Sequence, residues 1–116
     1  MKRTVVPERE SAIKSGILAA LRMCPRLKLW NAPCGVGRSM DGRRVIRFGT
    51  PGMADLTGVL SPDGQRVEIE VKTASGKLEP SQVAFQQMIE ESGGIYLVFR
   101  SVTEAVETTK AMGWWS

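Results

Sequence analysis

GTPGMADLTGVLSPDGQRVEIEVK, residues 49–72, decides how the rest of the chain is read. Thr50-Pro51-Gly52 fits a turn in which proline presets the first central dihedral and glycine accepts a positive φ at the second. Ala54 to Leu60 then reads as a strand, Pro62-Asp63-Gly64 as a hairpin turn, and Arg66 to Thr73 as a second strand antiparallel to the first. In that second strand Val67, Ile69 and Val71 point one way while Glu68, Glu70 and Lys72 point the other. One face is core and the other is ionic.

Upstream, Ile13, Ile17, Leu18 and Leu21 recur at helical spacing, predicting a helix from Pro7 to Met23 with Glu8 and Glu10 at the positive end of its dipole. Proline at position 25 stops it. A short strand, Leu27 to Ala32, follows, and the glycines and charges of residues 33–42 read as a loop. Within that loop Gly35-Val36-Gly37 is a weak phosphate-loop candidate that lacks the further glycine and lysine of the nucleotide-binding pattern. Arg43 to Phe48 alternates Val45 and Ile46 with arginines and reads as a basic strand.

Downstream, Pro80 to Ser92 is a helix with Val83, Phe85, Met88 and Ile89 spaced for burial and Gly93-Gly94 as its stop. Ile95 to Arg100 is a continuous apolar run suited to an inner strand. Ser101 and Glu104 have capping-box spacing, opening a last helix through Val106 to about Met112. The expected order is α β β β β α β α, an α/β fold with a mixed central sheet flanked by helices. No internal repeat or long linker interrupts it, so residues 1–116 read as one domain.

Hydrophobic residues are 42% and charged residues 24% of the 116, the composition of a folded domain rather than a disordered or fibrous chain. No apolar run approaches the ~20 residues that span a bilayer, and Met1 to Glu10 has no signal-peptide character, so a cytoplasmic location is the expectation. The chain has no histidine and two cysteines, Cys24 and Cys34. A four-ligand zinc finger and imidazole-based nucleophilic catalysis are both excluded. The cysteines read as reduced packing residues. What remains for catalysis is carboxylate, lysine and metal chemistry.

Residues 1–47 carry eleven Lys/Arg and three Asp/Glu, and residues 48–116 carry five Lys/Arg and nine Asp/Glu. A cationic half joined to a carboxylate-rich half suits a polyanion held beside a cation-binding centre. Asp55 is separated by fourteen residues from Glu70-Val71-Lys72. Residues two apart on a strand share a face, and a hairpin lays Asp55 beside Glu70 and Lys72. Adjacent carboxylates repel unless a cation joins them, and the oxygen donors suit Mg²⁺ or Mn²⁺.

The run from Gly49 to Val59, then Asp63-Gly64, Ile69-Glu70-Val71-Lys72, Gly76-Lys77-Leu78 with Gln82, and Gly93-Gly94-Ile95, closely resembles the VRR-NUC nuclease domain of the PD-(D/E)XK superfamily. The resemblance extends from about Glu10 to Glu104 and implies a restriction-endonuclease-like core. It further implies that Asp55 and Glu70 bind metal, that the carbonyl of Val71 joins them, and that Lys72 is the catalytic lysine. Glu10, three residues before Ile13, matches the family's first-helix glutamate as a metal or water contact. Gln82 matches a helix glutamine that would hold a phosphate or the lysine. Glu68 shares the face of Glu70, but only Glu70 has a lysine two residues later.

Arg38, Arg43, Arg44 and Arg47, on the loop and strand before the motif, are the DNA-binding candidates, with Asn31 a weaker one. The implied activity is a metal-dependent endodeoxyribonuclease using Mg²⁺ or Mn²⁺, selective for branched DNA such as four-way (Holliday) junctions or flaps. The alternative is a non-catalytic DNA-binding subunit that keeps the fold. One active centre per chain implies a homodimer for cutting two strands, with Trp114 and Trp115 either capping the chain's own core or forming the dimer contact. Small stand-alone domains of this kind occur in bacteriophage and prophage genomes, which implies a role in replication, recombination or repair inside a bacterial cell.

Overall fold

The computed structural model describes residues 9–32 and 35–116 and, for residues 35–37 and 46–48, the backbone alone. Helix α1 (Glu10–Leu21) leads to strands β1 (Leu27–Asn31), β2 (Gly35–Arg38), β3 (Val45–Phe48), β4 (Leu56–Leu60) and β5 (Gln65–Val71). Helix α2 (Pro80–Glu91), strand β6 (Ile95–Phe99) and helix α3 (Val102–Ala111) complete the chain. The expected order thus gains one strand. Gly35 to Arg38, expected as loop, pairs antiparallel with Arg47, Ile46 and their neighbours in a separate two-stranded hairpin. Glycine weakens a strand without forbidding it, and the β-branched partner strand supplies the propensity. Gly35-Val36-Gly37 is therefore ladder backbone and not a phosphate-cradling loop. Pro7, Glu8 and Cys34 lie outside the described residues.

The main sheet has the order β1-β4-β5-β6. Its first two pairings are antiparallel and β5 pairs parallel with β6, giving the expected mixed sheet. The β6 strand is at the edge, a correction to the inner position its apolar run suggested. Helix α2 covers one of its faces and α3 the other, which accounts for the run.

Alternation along the strands sorts side chains into two layers. Leu27, Leu29, Leu56, Leu60, Val67, Ile69, Val71 and Phe99 face α1 and α3, where Ile13, Ile17, Leu18, Leu21 and Ala105 meet them. Trp114 is 3% exposed in that same core, and the Trp115 indole N–H donates to the Thr109 hydroxyl at 2.8 Å. The C-terminal tryptophans therefore cap the chain's own core. On the other layer Phe85 and Ile89 of α2 pack with Ala54 and Tyr96. Val83 and Met88, expected to be buried, are exposed because α2 contributes only a narrow stripe to the sheet.

The predicted turn is present: the Met53 N–H donates to the Thr50 carbonyl at 3.0 Å, and Gly52 has φ +78°. A Cβ on Gly52 would overlap the Ser81 carbonyl, so this turn lies directly against the first turn of α2. Glycine is required here twice over, by dihedral and by space. Among the described residues no helix is long and apolar enough to cross a membrane.

Candidate metal centre

Asp55 immediately precedes β4, and its carboxylate accepts the main-chain N–H of Val71 at 2.8 Å. That hydrogen bond fastens the end of β5 to the start of β4, beyond the last ladder pair, Leu56 with Ile69. Glu70 follows on the sheet face turned toward α2. Glu10, the first residue of α1, reaches the same place from the other side of the sheet. Carboxylate oxygens of Glu10, Asp55 and Glu70 all lie within 4.8 Å of one another.

The three acids differ in surroundings. Glu10 is exposed, Asp55 half-buried, and Glu70 only 2% exposed. Burial first, and then the hydrogen bond and charge of Asp55, push the Glu70 carboxyl up to about 9; Lys72 offsets part of the rise and Glu10 adds to it. Lys72 shares the Glu70 face by strand alternation, and its N–H donates to the Phe99 carbonyl at 3.1 Å. The Val71 side chain is buried in the opposite core, leaving only its backbone available to the site.

Gln82 has two contacts. Its carbonyl oxygen accepts the Glu79 N–H at 2.9 Å, completing a capping box at the start of α2, and its amide donates to Glu70 at 3.1 Å. Of the two roles expected for Gln82, holding a phosphate or the lysine, the described contacts show neither; they place its amide on the acid. A glutamine at the third helical position explains both: capping turns the side chain back toward the helix start, which stands over β5.

Glu68 has no lysine two residues later, and its environment differs from that of Glu70. It is fully buried, accepts from the Thr57 hydroxyl at 2.7 Å and pairs with Arg66, while its second oxygen has no partner among the described residues. Beside it in register stands Tyr96, whose buried hydroxyl is held in the neutral form first by burial and then by the charges of Glu70, Asp55 and Glu68. Sequence alternation marked this face as ionic but carried no sign that α2 would cover it.

The basic candidates are on the hairpin. Arg38 ends β2, and Arg43 and Arg44 lie in the β2–β3 turn, all three exposed. Asp41 organises that turn by accepting from the Ser39 hydroxyl and the Arg43 N–H. Arg47 belongs to β3 by its backbone, its side chain being outside the description, and Asn31 is exposed at the end of β1. None of these arginines reaches the acidic cluster among the described contacts. An apolar cavity of about 350 Å³ beside α2 is lined by Met53, Arg66, Phe85, Met88 and Ile89 among others, and not by any of the three acids.

No family model matches the sequence, and no curated protein matches it. A solved structure titled "VRR_NUC domain" superposes with a TM-score of 0.61 at 19% identity, covering 87% of this chain and 94% of that one. The chain therefore has the fold of that domain, a mixed sheet flanked by helices in the restriction-endonuclease-like arrangement.

Proposed function

We propose that this chain is a divalent-metal-dependent nuclease that hydrolyses phosphodiester bonds of DNA. The observation that carries the reading is the convergence of Glu10, Asp55 and Glu70, from three separate elements, within 4.8 Å of one another. Three carboxylates so close, one of them buried and forced toward its protonated form, are what a divalent cation with oxygen preference would relieve. The donor set therefore fits Mg²⁺ or Mn²⁺, with Glu10, Asp55 and Glu70 as side-chain ligands and the Val71 carbonyl as a main-chain one. When bound, such an ion polarises a phosphoryl oxygen and lowers the pKa of water.

The remaining steps belong to the protein. Lys72 brings an ammonium to the face of Glu70, where it orients the attacking water and stabilises negative charge building on the phosphate. Water oxygen bonds to phosphorus as the bond to the departing sugar oxygen breaks, and a proton passes to that oxygen. Gln82 steadies the Glu70 carboxylate through its amide. Arg38, Arg43, Arg44 and Arg47 hold the backbone on either side of the cut, so each phosphate they neutralise steepens the salt dependence of binding. Branched DNA, four-way junctions or flaps, is the proposed substrate class, with two copies of the chain acting on the two strands.

The test gives the purified chain Mg²⁺ or Mn²⁺ with linear, flap and four-way substrates, beside Lys72→Ala. Metal-dependent cleavage that the variant lacks is the expected result. Cleavage undiminished in the variant would remove Lys72 from the site, and DNA binding with neither cleavage nor Mn²⁺ affinity would favour a non-catalytic DNA-binding subunit.

A further inference from the structure

The sheet face that carries Glu70 meets α2 through Gln82, Phe85 and Ile89. Along edge strand β1 and the far end of β4 it is exposed at Lys28, Trp30 and Val59, with Thr57 buried between them, and its residues fall into rows set by the register. Trp30 of β1 stands opposite Thr57, which stands opposite Glu68. Lys28 stands opposite Val59, which stands opposite Arg66. Directly opposed residues share a face, so Trp30, Lys28, Val59 and Arg66 line one surface.

Trp30 is 47% exposed there, although the chain's other two tryptophans are tucked into or against its core. Large aromatics gain from burial, and one left half in water on an edge strand invites a flat partner. Asp55 precedes Thr57 by two residues and Glu70 follows Glu68 by two, which puts the acidic cluster one row, about 6.7 Å along the strands, from the row of Trp30. On the other side lie two cations, Lys28, which is exposed, and Arg66, whose guanidinium is anchored by the buried Glu68 yet remains half-exposed. An aromatic surface set between two cations and the acidic cluster, each one row apart, follows the repeat of a stretched nucleotide strand.

We propose that the exposed margin of this face, Trp30 and Lys28 of β1 with Val59 and Arg66, binds single-stranded DNA, with an unpaired base next to the cut stacked on Trp30 and the backbone running past Lys28 and Arg66. The identity of the polyanion rests on the nuclease reading. A fully paired duplex keeps its bases stacked on one another and has none to offer Trp30. Flaps and junctions with frayed ends do, so this face supplies a physical reason for structure selectivity. Stacking on an aromatic side chain is tolerant of sequence and is strong enough to dominate a single-nucleotide contact.

The experiment uses the full chain in EDTA, so that no cleavage intervenes, and titrates a short oligothymidine or a blunt hairpin duplex while reading tryptophan emission. Labelled-oligonucleotide anisotropy gives affinities for the wild type, Trp30→Phe and Trp30→Ala. Quenching by the single strand but not the duplex is expected, and it disappears in Trp30→Phe, which removes the reporter yet keeps affinity. Trp30→Ala binds the single strand about 5- to 150-fold more weakly. Unchanged emission together with equal affinity of Trp30→Ala overturns the proposal. So does a Trp30 signal that follows protein concentration without oligonucleotide, which would assign the face to a second copy of the chain. In parallel, Mg²⁺-dependent cleavage tests the nuclease reading alone: cleavage with a silent Trp30 sinks only this inference, whereas absent cleavage sinks that reading and leaves the emission result to decide this one.

Discussion

Asp55 holds the main-chain N–H of Val71 at 2.8 Å, so one acid of the cluster is tied to the residue standing between the second acid and the lysine. The spacing of Asp55, Glu70 and Lys72 in the folded chain therefore does not depend on strand pairing alone. Its carboxylate serves structure and charge at once, and substitutions separate the two.

Asp55→Asn retains an oxygen for the Val71 N–H while removing a charge from beside Glu70. In urea unfolding without metal it is as stable as the wild type or more so. Asp55→Ala leaves that N–H unpaired and costs about 1–3 kcal/mol. Both variants lose Mn²⁺ affinity by calorimetry.

Glu70 makes the metal-free protein sensitive to base. Its carboxyl is raised from 4.5 to about 9 in the folded chain, so between those values the folded state holds a proton that the unfolded state has released. Stability then falls as pH rises through that window. The thermal midpoint of the EDTA-treated protein is expected to drop from pH 5 to pH 8. Glu70→Gln flattens the profile, and Mn²⁺ restores the midpoint at pH 8 with release of a proton. A midpoint that climbs over this range would contradict the assignment.

Gly52→Ala is destabilising without touching any acid. The new Cβ would meet a left-handed dihedral, at about 1–2 kcal/mol, and the Ser81 carbonyl besides. Because the turn bears on the start of α2, circular dichroism melts of this variant shift to lower temperature. Gly64→Ala, with a similar φ of +73° but open space around it, loses less.

Gln82→Glu keeps an acceptor for the Glu79 N–H but sets a fourth carboxylate against Glu70. Thermal melts in EDTA at pH 8 fall below the wild type, and saturating Mn²⁺ recovers most of the difference. Gln82→Ala loses the cap and the amide together, costs about 1 kcal/mol, and is not rescued by the ion in the same way.

The features legible in the chain were those encoded locally. Pro51-Gly52 marked a turn, Asp63-Gly64 a hairpin, Ser101 and Glu104 a helix start, and alternation from Val67 to Lys72 two different faces. Ser101 does accept the Glu104 N–H, although the Glu104 carboxylate turns to the N–H of Arg100. Features set by what packs on top were not legible. Glu68 and Glu70 are as buried as the valines behind them because α2 lies over them, and nothing in a charged alternation announces a roof. The apolar run of β6 could not distinguish an inner strand from an edge covered on both faces. Gly35 to Arg38 hid a strand because its partner, not its own composition, supplies the β preference. Spacing and resemblance point to Asp55, Glu70 and Lys72, and resemblance alone to Glu10, whereas the half-exposed Trp30 is visible only once neighbouring strands are in register.

The capping box that opens α2 makes one side chain answerable to two masters. If the first coil of that helix frays on warming, Gln82 lets go of Glu70 in the same movement. Local melting and disorder among the acids then become a single event, and amide exchange over residues 81–83 should slow when a cation quiets the cluster. A domain wired this way would loosen its acidic cluster before it loses its shape.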